Sequence, residues 1–221
     1  MPFCTVHRYA DKADWLQHRH TLKGVGGSDA GVVAGVSKWK TAHELWEEKT
    51  GRRAAPDLDS NESVQFGARA EEYIRALWTL KNAGRYEMHY APYCIVQNNA
   101  DKGLLYSPDG LLKECGTKRL GIWECKTTTI KSAVQAREWR NSIPETYLMQ
   151  VLHGSNVMPL ISFVVLTAFI TWADDKSELI DYTIEISDYL NERQELKETV
   201  LDFYYRNLQE DIEPPRYLPM I

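Results

Sequence analysis

The chain has 221 residues, a formal net charge of −5, 43% hydrophobic residues and 11% aromatic residues, with seven Trp. That is enough for one large core or two small ones, no apolar run approaches the roughly 20 residues of a membrane span, and the acidic balance supplies no whole-protein attraction for nucleic acid, although a local basic lining can coexist with an acidic exterior. The opening MPFCTVHRYADKADW lacks the apolar centre of a secretory leader, and Cys4, Cys94, Cys115 and Cys125 form no C-x-x-C pair, so reduced thiols in an intracellular protein are expected, not a zinc ribbon or a disulfide framework.

Residues 11–20 read as a short helix, followed by Gly24-Val-Gly-Gly27 as a backbone hinge. Ser28 is expected to cap a small-residue helix over 29–34 that stops at Gly35. Thr41-Ala-His-Glu44 has the form of a capping box: the Thr oxygen accepts an orphan amide and the Glu reaches back. It opens a helix through Leu45, Trp46 and Lys49, closed by Gly51. Residues 52–61 are polar, contain Pro56 and read as a mobile loop.

The longest early helix is expected over 63–83, with Val64, Ala68, Ile74, Leu77, Trp78 and Leu80 turned to one side at helical spacing. Strand-like runs follow at 86–91, 93–97, 103–107 and 120–128, separated by turn residues as in an antiparallel meander. Residues 132–139 return to helix, and Pro144 starts another through His153, whose imidazole reads as polar surface. Two strands, 161–172 and 179–186, flank an Asp174-Asp175 turn, and 187–209 form a closing amphipathic helix before Pro214-Pro215. The pattern predicts one α/β domain over 1–221, with a core at about 15–186 and a closing helix and tail at 187–221, in which helices flank a central mixed sheet of about five strands.

The chemistry concentrates in SPDGLLKECGTKRLGIWECKT, residues 107–127. Residues two apart on a strand share a face, so Glu124 and Lys126 project together while Trp123 and Cys125 point away. If 103–107 pairs with 120–128 through the turn at 113–118, Asp109 arrives beside Glu124. Two carboxylates that close resist joint ionisation unless a cation lies between them, and a hard divalent ion with oxygen ligands removes the penalty. A divalent ion acidifies water, and an adjacent lysine can orient or assist that water and stabilise charge growing on a scissile phosphate. The bland alternatives are a Pro-Asp-Gly turn and an exposed ion pair on a strand.

Pro108-Asp109 followed by Glu124-Cys-Lys126 resembles the PD-(D/E)xK nuclease signature. Gly26-Gly-Ser-Asp-Ala30, the Thr41 to Lys49-Thr-Gly51 helix, Gly67-Ala-Arg-Ala-Glu71 and Pro144-Glu-Thr-Tyr-Leu-Met-Gln150 resemble, in order, the phage lambda exonuclease-like (YqaJ) branch of that superfamily. The resemblance implies a restriction-endonuclease-like core. It implies Asp109 and Glu124 as principal metal ligands, with the Cys125 backbone carbonyl a further ligand and Glu71 a helix-borne acid near the metal. It also implies Lys126 as the catalytic lysine and Gln150 as a polar neighbour of the site. Glu72 adjoins Glu71, and the spacing to Gly67 selects the latter. Arg19 and Ser28 resemble the pair that binds the 5′-phosphate of a DNA end, with His18, His20 and Lys23 as alternatives to Arg19.

The expected activity is Mg²⁺-dependent 5′→3′ digestion of one strand of linear duplex DNA in phage-type recombination, with Mn²⁺ as a substitute ion. The expected partners are double-stranded DNA ends, two further copies in a homotrimer and a single-strand annealing recombinase, and no membrane. The expected setting is the cytoplasm of a bacterial host. Two other readings stay open: an endonuclease of the same superfamily and a non-catalytic DNA-end-binding protein.

Overall fold

A computed structural model describes residues 2–56 and 60–216, without the side chains of His20 and Asn141. Residues 57–59 of the expected polar loop and the end of the tail, 217–221, lie outside the described residues. In chain order the elements are β1 (Cys4–Arg8), α1 (Lys12–Thr21), α2 (Gly27–Val33), α3 (Ala42–Lys49), α4 (Glu62–Asn82), β2 (Tyr86–His89), β3 (Cys94–Asn98), β4 (Leu105–Tyr106), β5 (Gly110–Glu114), β6 (Leu120–Thr129), α5 (Ala133–Asn141), α6 (Glu145–Val157), β7 (Ile161–Thr171), β8 (Ser177–Glu185) and α7 (Leu190–Asp202). A 3₁₀ turn (Ile186–Tyr189) precedes α7, and a π-helical turn (Phe203–Gln209) follows it, so the expected closing helix is continuous in place but not in winding.

The strands form two sheets. The larger is mixed, with order β2-β5-β6-β7-β8, and only the β6–β7 pair is parallel. Its parallel pair is joined through α5 and α6, as a parallel connection requires a long crossover. The smaller sheet has order β1-β3-β4 and is antiparallel. The single meander expected over 86–128 is therefore divided: β3 and β4 leave the main sheet, and β3 pairs on its other side with β1, an N-terminal strand outside the expected elements. The hairpin partner of β6 is likewise not 103–107 but β5, with Gly110 opposite Trp123.

The alternation along β6 sorts its side chains between two cores. Ile122 packs with Val151 and Leu152 of α6 and with Val164 and Leu166 of β7. Trp123 and Cys125 point to the opposite face, against Ile74 and Trp78 of α4. Trp123 is wholly buried, and its indole N–H donates to Thr167 Oγ1 at 2.9 Å, so the back of the strand is fixed by both packing and a satisfied polar contact. Truncating a buried indole of this kind costs about 3–5 kcal/mol.

Helix α4 departs from its expected apolar side. Ile74 and Trp78 are buried, but Val64, Leu77 and Leu80 are exposed, as are Phe66 and Tyr73. Only a narrow stripe of the helix meets the sheet. The capping box at Thr41 forms as expected, with Glu44 N–H donating to Thr41 Oγ1 at 3.2 Å and Thr41 N–H donating to Glu44 at 3.0 Å. The cap of α2 is not Ser28 but Gly26: Ser28 is the second residue of that seven-residue helix, and the Asp29 carboxylate accepts the Gly26 amide at 3.1 Å. His153 is not polar surface but wholly buried, with Nε2 within 3.0 Å of the Val25 carbonyl and 3.1 Å of the Leu105 carbonyl. It ties the segment before α2 to β4 from inside α6.

Candidate active site

One cleft of about 700 Å³ is lined by Glu71, Asp109, Glu124, Cys125, Lys126 and Gln150, and also by Arg19 and Ser28. Five elements and the lip of a sixth deliver them. Glu124 and Lys126 stand two residues apart on β6, and Asp109 sits one step before β5, where the register that pairs Gly110 with Trp123 points it toward Glu124. Asp109 Oδ2 accepts the Cys125 backbone amide at 2.9 Å. Glu71 comes from α4 on the other side of the sheet. Gly67, one turn earlier, allows that approach: a Cβ there would lie 3.0 Å from Thr127 Oγ1. Gln150 comes from α6.

Glu124 is the centre of the polar contacts and is only 2% exposed. Its Oε1 accepts Lys126 Nζ at 2.6 Å and also the Gln150 side-chain amide, and its Oε2 accepts the Tyr106 hydroxyl at 2.7 Å. Glu71 pairs with Arg75 at 2.8 Å, and that guanidinium lies 3.4 Å from the centroid of the Tyr90 ring. Lys126 Nζ lies 5.3 Å from the centroid of the Tyr147 ring, within the range of a cation–π contact.

The electrostatics follow from crowding acids in a partly dry place. Removal from water, then the charge of Glu124, hold the Asp109 carboxyl well above the usual aspartate range, against the opposing pull of Lys126. Glu71 is raised by burial, with Arg75 opposing and Glu124 reinforcing. Burial works against the Lys126 ammonium, but Glu124 and Asp109 outweigh it and keep its pKa above the ordinary lysine value. Lys126 is thus a cation that donates hydrogen bonds. Burial and the neighbouring Glu124 push the Tyr106 phenol well above its usual pKa, so it too is a donor.

This donor set fits a hard divalent cation by its chemistry: the charge of Glu124 disfavours the ionisation of Asp109 and Glu71, and a cation among the acids removes that penalty. Among the described residues, however, no three His, Cys, Asp or Glu side chains form a ready ligand cluster. Glu71 pairs with Arg75, Asp109 accepts the Cys125 amide, and Glu124 accepts three side-chain donors.

In the same cleft Arg19 donates to Ser28 Oγ at 2.9 Å, and its guanidinium lies 5.2 Å from the centroid of the Trp15 ring. Of the alternatives to Arg19, His18 is drawn off to Asp14 at 3.0 Å and stacks on Tyr9, Lys23 is exposed, and the His20 side chain lies outside the described residues. Sequence reasoning missed three participants. Tyr106 immediately precedes the Ser-Pro-Asp motif but reads as an ordinary strand aromatic. Lys49 and Asp29, each inside one of the family-like motifs, form a mostly buried pair at 2.8 Å. A lysine and an acid twenty residues apart carry no pairing signal in one sequence.

Comparison with known proteins bears on the family and the fold. The YqaJ-like viral recombinase domain family matches residues 14–157. The uncharacterized protein YqaJ of Bacillus subtilis (strain 168) is 32% identical over 151 residues, covering 66% of this chain and 42% of that protein. The chain thus spans less than half the length of this curated relative. Among solved structures, the alkaline exonuclease LHK-Exo of Laribacter hongkongensis superposes with a TM-score of 0.64 at 17% identity, over 91% of this chain and 95% of that one. The same protein in complex with dAMP gives 0.58 at 15% identity, over 91% and 100%. These likenesses establish the fold, and no helix among the described residues is long and apolar enough to cross a membrane. With the motif order, the matched span and the fold in agreement, the chain belongs to the YqaJ-like viral recombinase domain family, the lambda exonuclease-like branch that its motifs resemble.

Proposed function

We propose that the chain is a deoxyribonuclease of the lambda exonuclease type, a Mg²⁺-dependent 5′→3′ exonuclease that digests one strand of linear duplex DNA. The observation that carries this reading is the sharing of one cleft by three acids, a lysine, a glutamine and an arginine–serine pair. The alkaline exonuclease of Laribacter hongkongensis, which has the same fold, supports it, as does that protein's complex with dAMP, a nucleoside monophosphate.

Asp109 and Glu124, with the Cys125 carbonyl and Glu71, would hold the ion. A bound divalent ion supplies charge neutralisation and Lewis acidity at a scissile phosphate, and Mn²⁺ can take the place of Mg²⁺ there. The chain's own residues do the rest. Lys126, held as an ammonium by Glu124, orients the attacking water by donation and stabilises charge building on the phosphate oxygens. Gln150 fixes the rotamer of Glu124. Arg19 and Ser28 hold a 5′-phosphate, which sets how far the terminal nucleotide reaches into the cleft and makes the scissile bond the one next to the end.

The acidic exterior gives little help in retaining DNA. A homotrimer closed around the duplex would retain it by topology, and the single strand left behind is the substrate that an annealing recombinase would take up in the cytoplasm of a bacterial host. The test is a time course on linear duplex DNA labelled separately at each end, with a covalently closed circle beside it. Mg²⁺-dependent loss of the 5′ label first, with the circle intact, is expected. Nicking of the circle would make the chain an endonuclease, and no metal-dependent cleavage of either substrate would make it an end-binding protein.

A further inference from the structure

Tyr106 is a buried aromatic that lines the cleft, and no part of the reaction above uses it. Its side chain is 1% exposed. Its hydroxyl donates to Glu124 Oε2 at 2.7 Å, while Lys126 and Gln150 both donate to the other oxygen, Oε1. Among the described residues Tyr106 is thus the one side-chain donor to Oε2. A carboxylate with two oxygens offers about four lone-pair directions, and donors on both oxygens stop it from rotating about its last bond.

The ring occupies a slot made by two glycines on two helices. A Cβ on Gly27 of α2 would lie 2.5 Å from Tyr106 Cε2, and a Cβ on Gly154 of α6 would lie 2.9 Å from its Cζ. Gly154 lies inside α6, where glycine costs about 1 kcal/mol relative to alanine, so the space for the ring, and for Ile122 Cδ1 at 2.8 Å from such a Cβ, is retained at the expense of helix propensity. Gly27 adjoins Ser28, so the same ring that carries the hydroxyl to Glu124 also sets how closely the Arg19–Ser28 end approaches the acids.

We propose that Tyr106 is a positioning residue for cleavage: its hydroxyl fixes the orientation of Glu124 toward the ion, and its ring spaces the end-binding segment from the acid cluster. This rests on the metal-dependent nuclease reading. Residues that orient a metal ligand from behind typically account for 10- to 100-fold in metal affinity or activity, and that is the size of effect assigned to the Tyr106 hydroxyl.

The test is Tyr106→Phe, which keeps the ring in its slot and deletes one oxygen. Two readouts are taken: kcat and KM on 5′-phosphorylated linear duplex, and the Mg²⁺ concentration that gives half of the metal-induced rise in melting temperature without DNA. The expected result is a kcat lowered roughly 10- to 100-fold, a similar rise in the Mg²⁺ midpoint and an unchanged KM. Gly154→Ala, which keeps the hydroxyl but presses on the ring and on Ile122 from α6, is expected to move both readouts in the same direction by less. Wild-type kcat and Mg²⁺ midpoint in Tyr106→Phe overturn the proposal, whatever Gly154→Ala does. If the wild-type protein itself shows neither Mg²⁺-dependent cleavage nor a Mg²⁺-induced rise in melting temperature, the nuclease reading fails first and takes this one with it.

Discussion

Asp109 accepts the backbone amide of Cys125 at 2.9 Å, so its carboxylate lies against the peptide that separates Glu124 from Lys126. The loop that ends at β5 and the middle of β6 are thereby pinned together in the cleft that the three acids line. In the proposed reaction that contact is a placeholder, because the same carboxylate is a ligand for the ion. Asp109→Asn keeps the shape and removes the charge. Metal-assisted charge stabilisation is worth several kcal/mol, so kcat should fall roughly a thousandfold. The Mg²⁺-induced rise in melting temperature should vanish with it. Retention of near wild-type turnover at saturating Mg²⁺ would remove Asp109 from the ligand set.

Lys126 presents the opposite case, a cation held among acids. Its ammonium pairs with Glu124 at 2.6 Å and lies over the Tyr147 ring. Lys126→Ala removes the donor that faces the developing charge but none of the proposed metal ligands. Loss of one such donor costs roughly 10²–10³ in kcat, and binding of duplex DNA should be retained. Single-turnover cleavage beside equilibrium binding in Ca²⁺ separates the two. Equal losses in binding and cleavage would recast Lys126 as a substrate anchor.

Much of this site is legible in the sequence because it rests on short-range rules. Glu124 and Lys126 share a face because a strand has a period of two, and Thr41 and Glu44 cap α3 because the reciprocal bonds span three residues. What was not legible depends on distant partners. The pairing of β1 with β3 escaped because Cys4–Arg8 is largely polar and Val6 is half-exposed, leaving no strand-like alternation of burial to read. The choice of β5 over 103–107 as the partner of β6 was decided by β4 finding β3 elsewhere. Helix α4 carries apolar residues well beyond its buried stripe, so periodicity overstated its buried face. Tyr106 and His153 gain their roles from contacts across 18, 48 and 128 residues of chain.

Asp29 and Lys49 predict a pH dependence away from the acid cluster. Burial pushes the Asp29 carboxyl up, but Lys49 and Arg19, with hydrogen bonds from Lys49 and the Gly26 amide, bring it below its ordinary value. A folded-state pKa below the unfolded value of about 3.9 means that the stabilisation is complete above that pH and is lost as the pH falls through the folded value. Asp29→Asn leaves Lys49 mostly buried without its counter-charge, which should cost about 3 kcal/mol at neutral pH. The gap between variant and wild type should stay constant down to about pH 4 and close below it. Urea unfolding of both proteins across pH 2–7 measures this. A gap that persists unchanged at the acid end would mean that packing, not charge, sets the contribution of Asp29.

Arg19 is the residue by which end recognition can be separated from chemistry. Its guanidinium reaches Ser28 Oγ at 2.9 Å and lies near the Trp15 ring, while Asp29 supplies a negative charge behind it. It is thus held in place before any phosphate arrives, which spares part of the ordering cost of binding. A hydrogen bond to a charged group contributes about 1.5–3 kcal/mol, so the preference for a 5′-phosphate over a 5′-hydroxyl should be roughly 10- to 100-fold in kcat/KM and should disappear in Arg19→Ala. The rate on 5′-hydroxyl ends should change little, because Arg19 makes no contact with Glu124 or Lys126 and that substrate offers it no phosphate. Competition between the two substrates, each labelled differently, reads the ratio directly. An unaltered ratio would shift the phosphate pocket to Lys23 or elsewhere along the cleft and would leave the Arg19–Ser28 contact as a structural tie between α1 and α2.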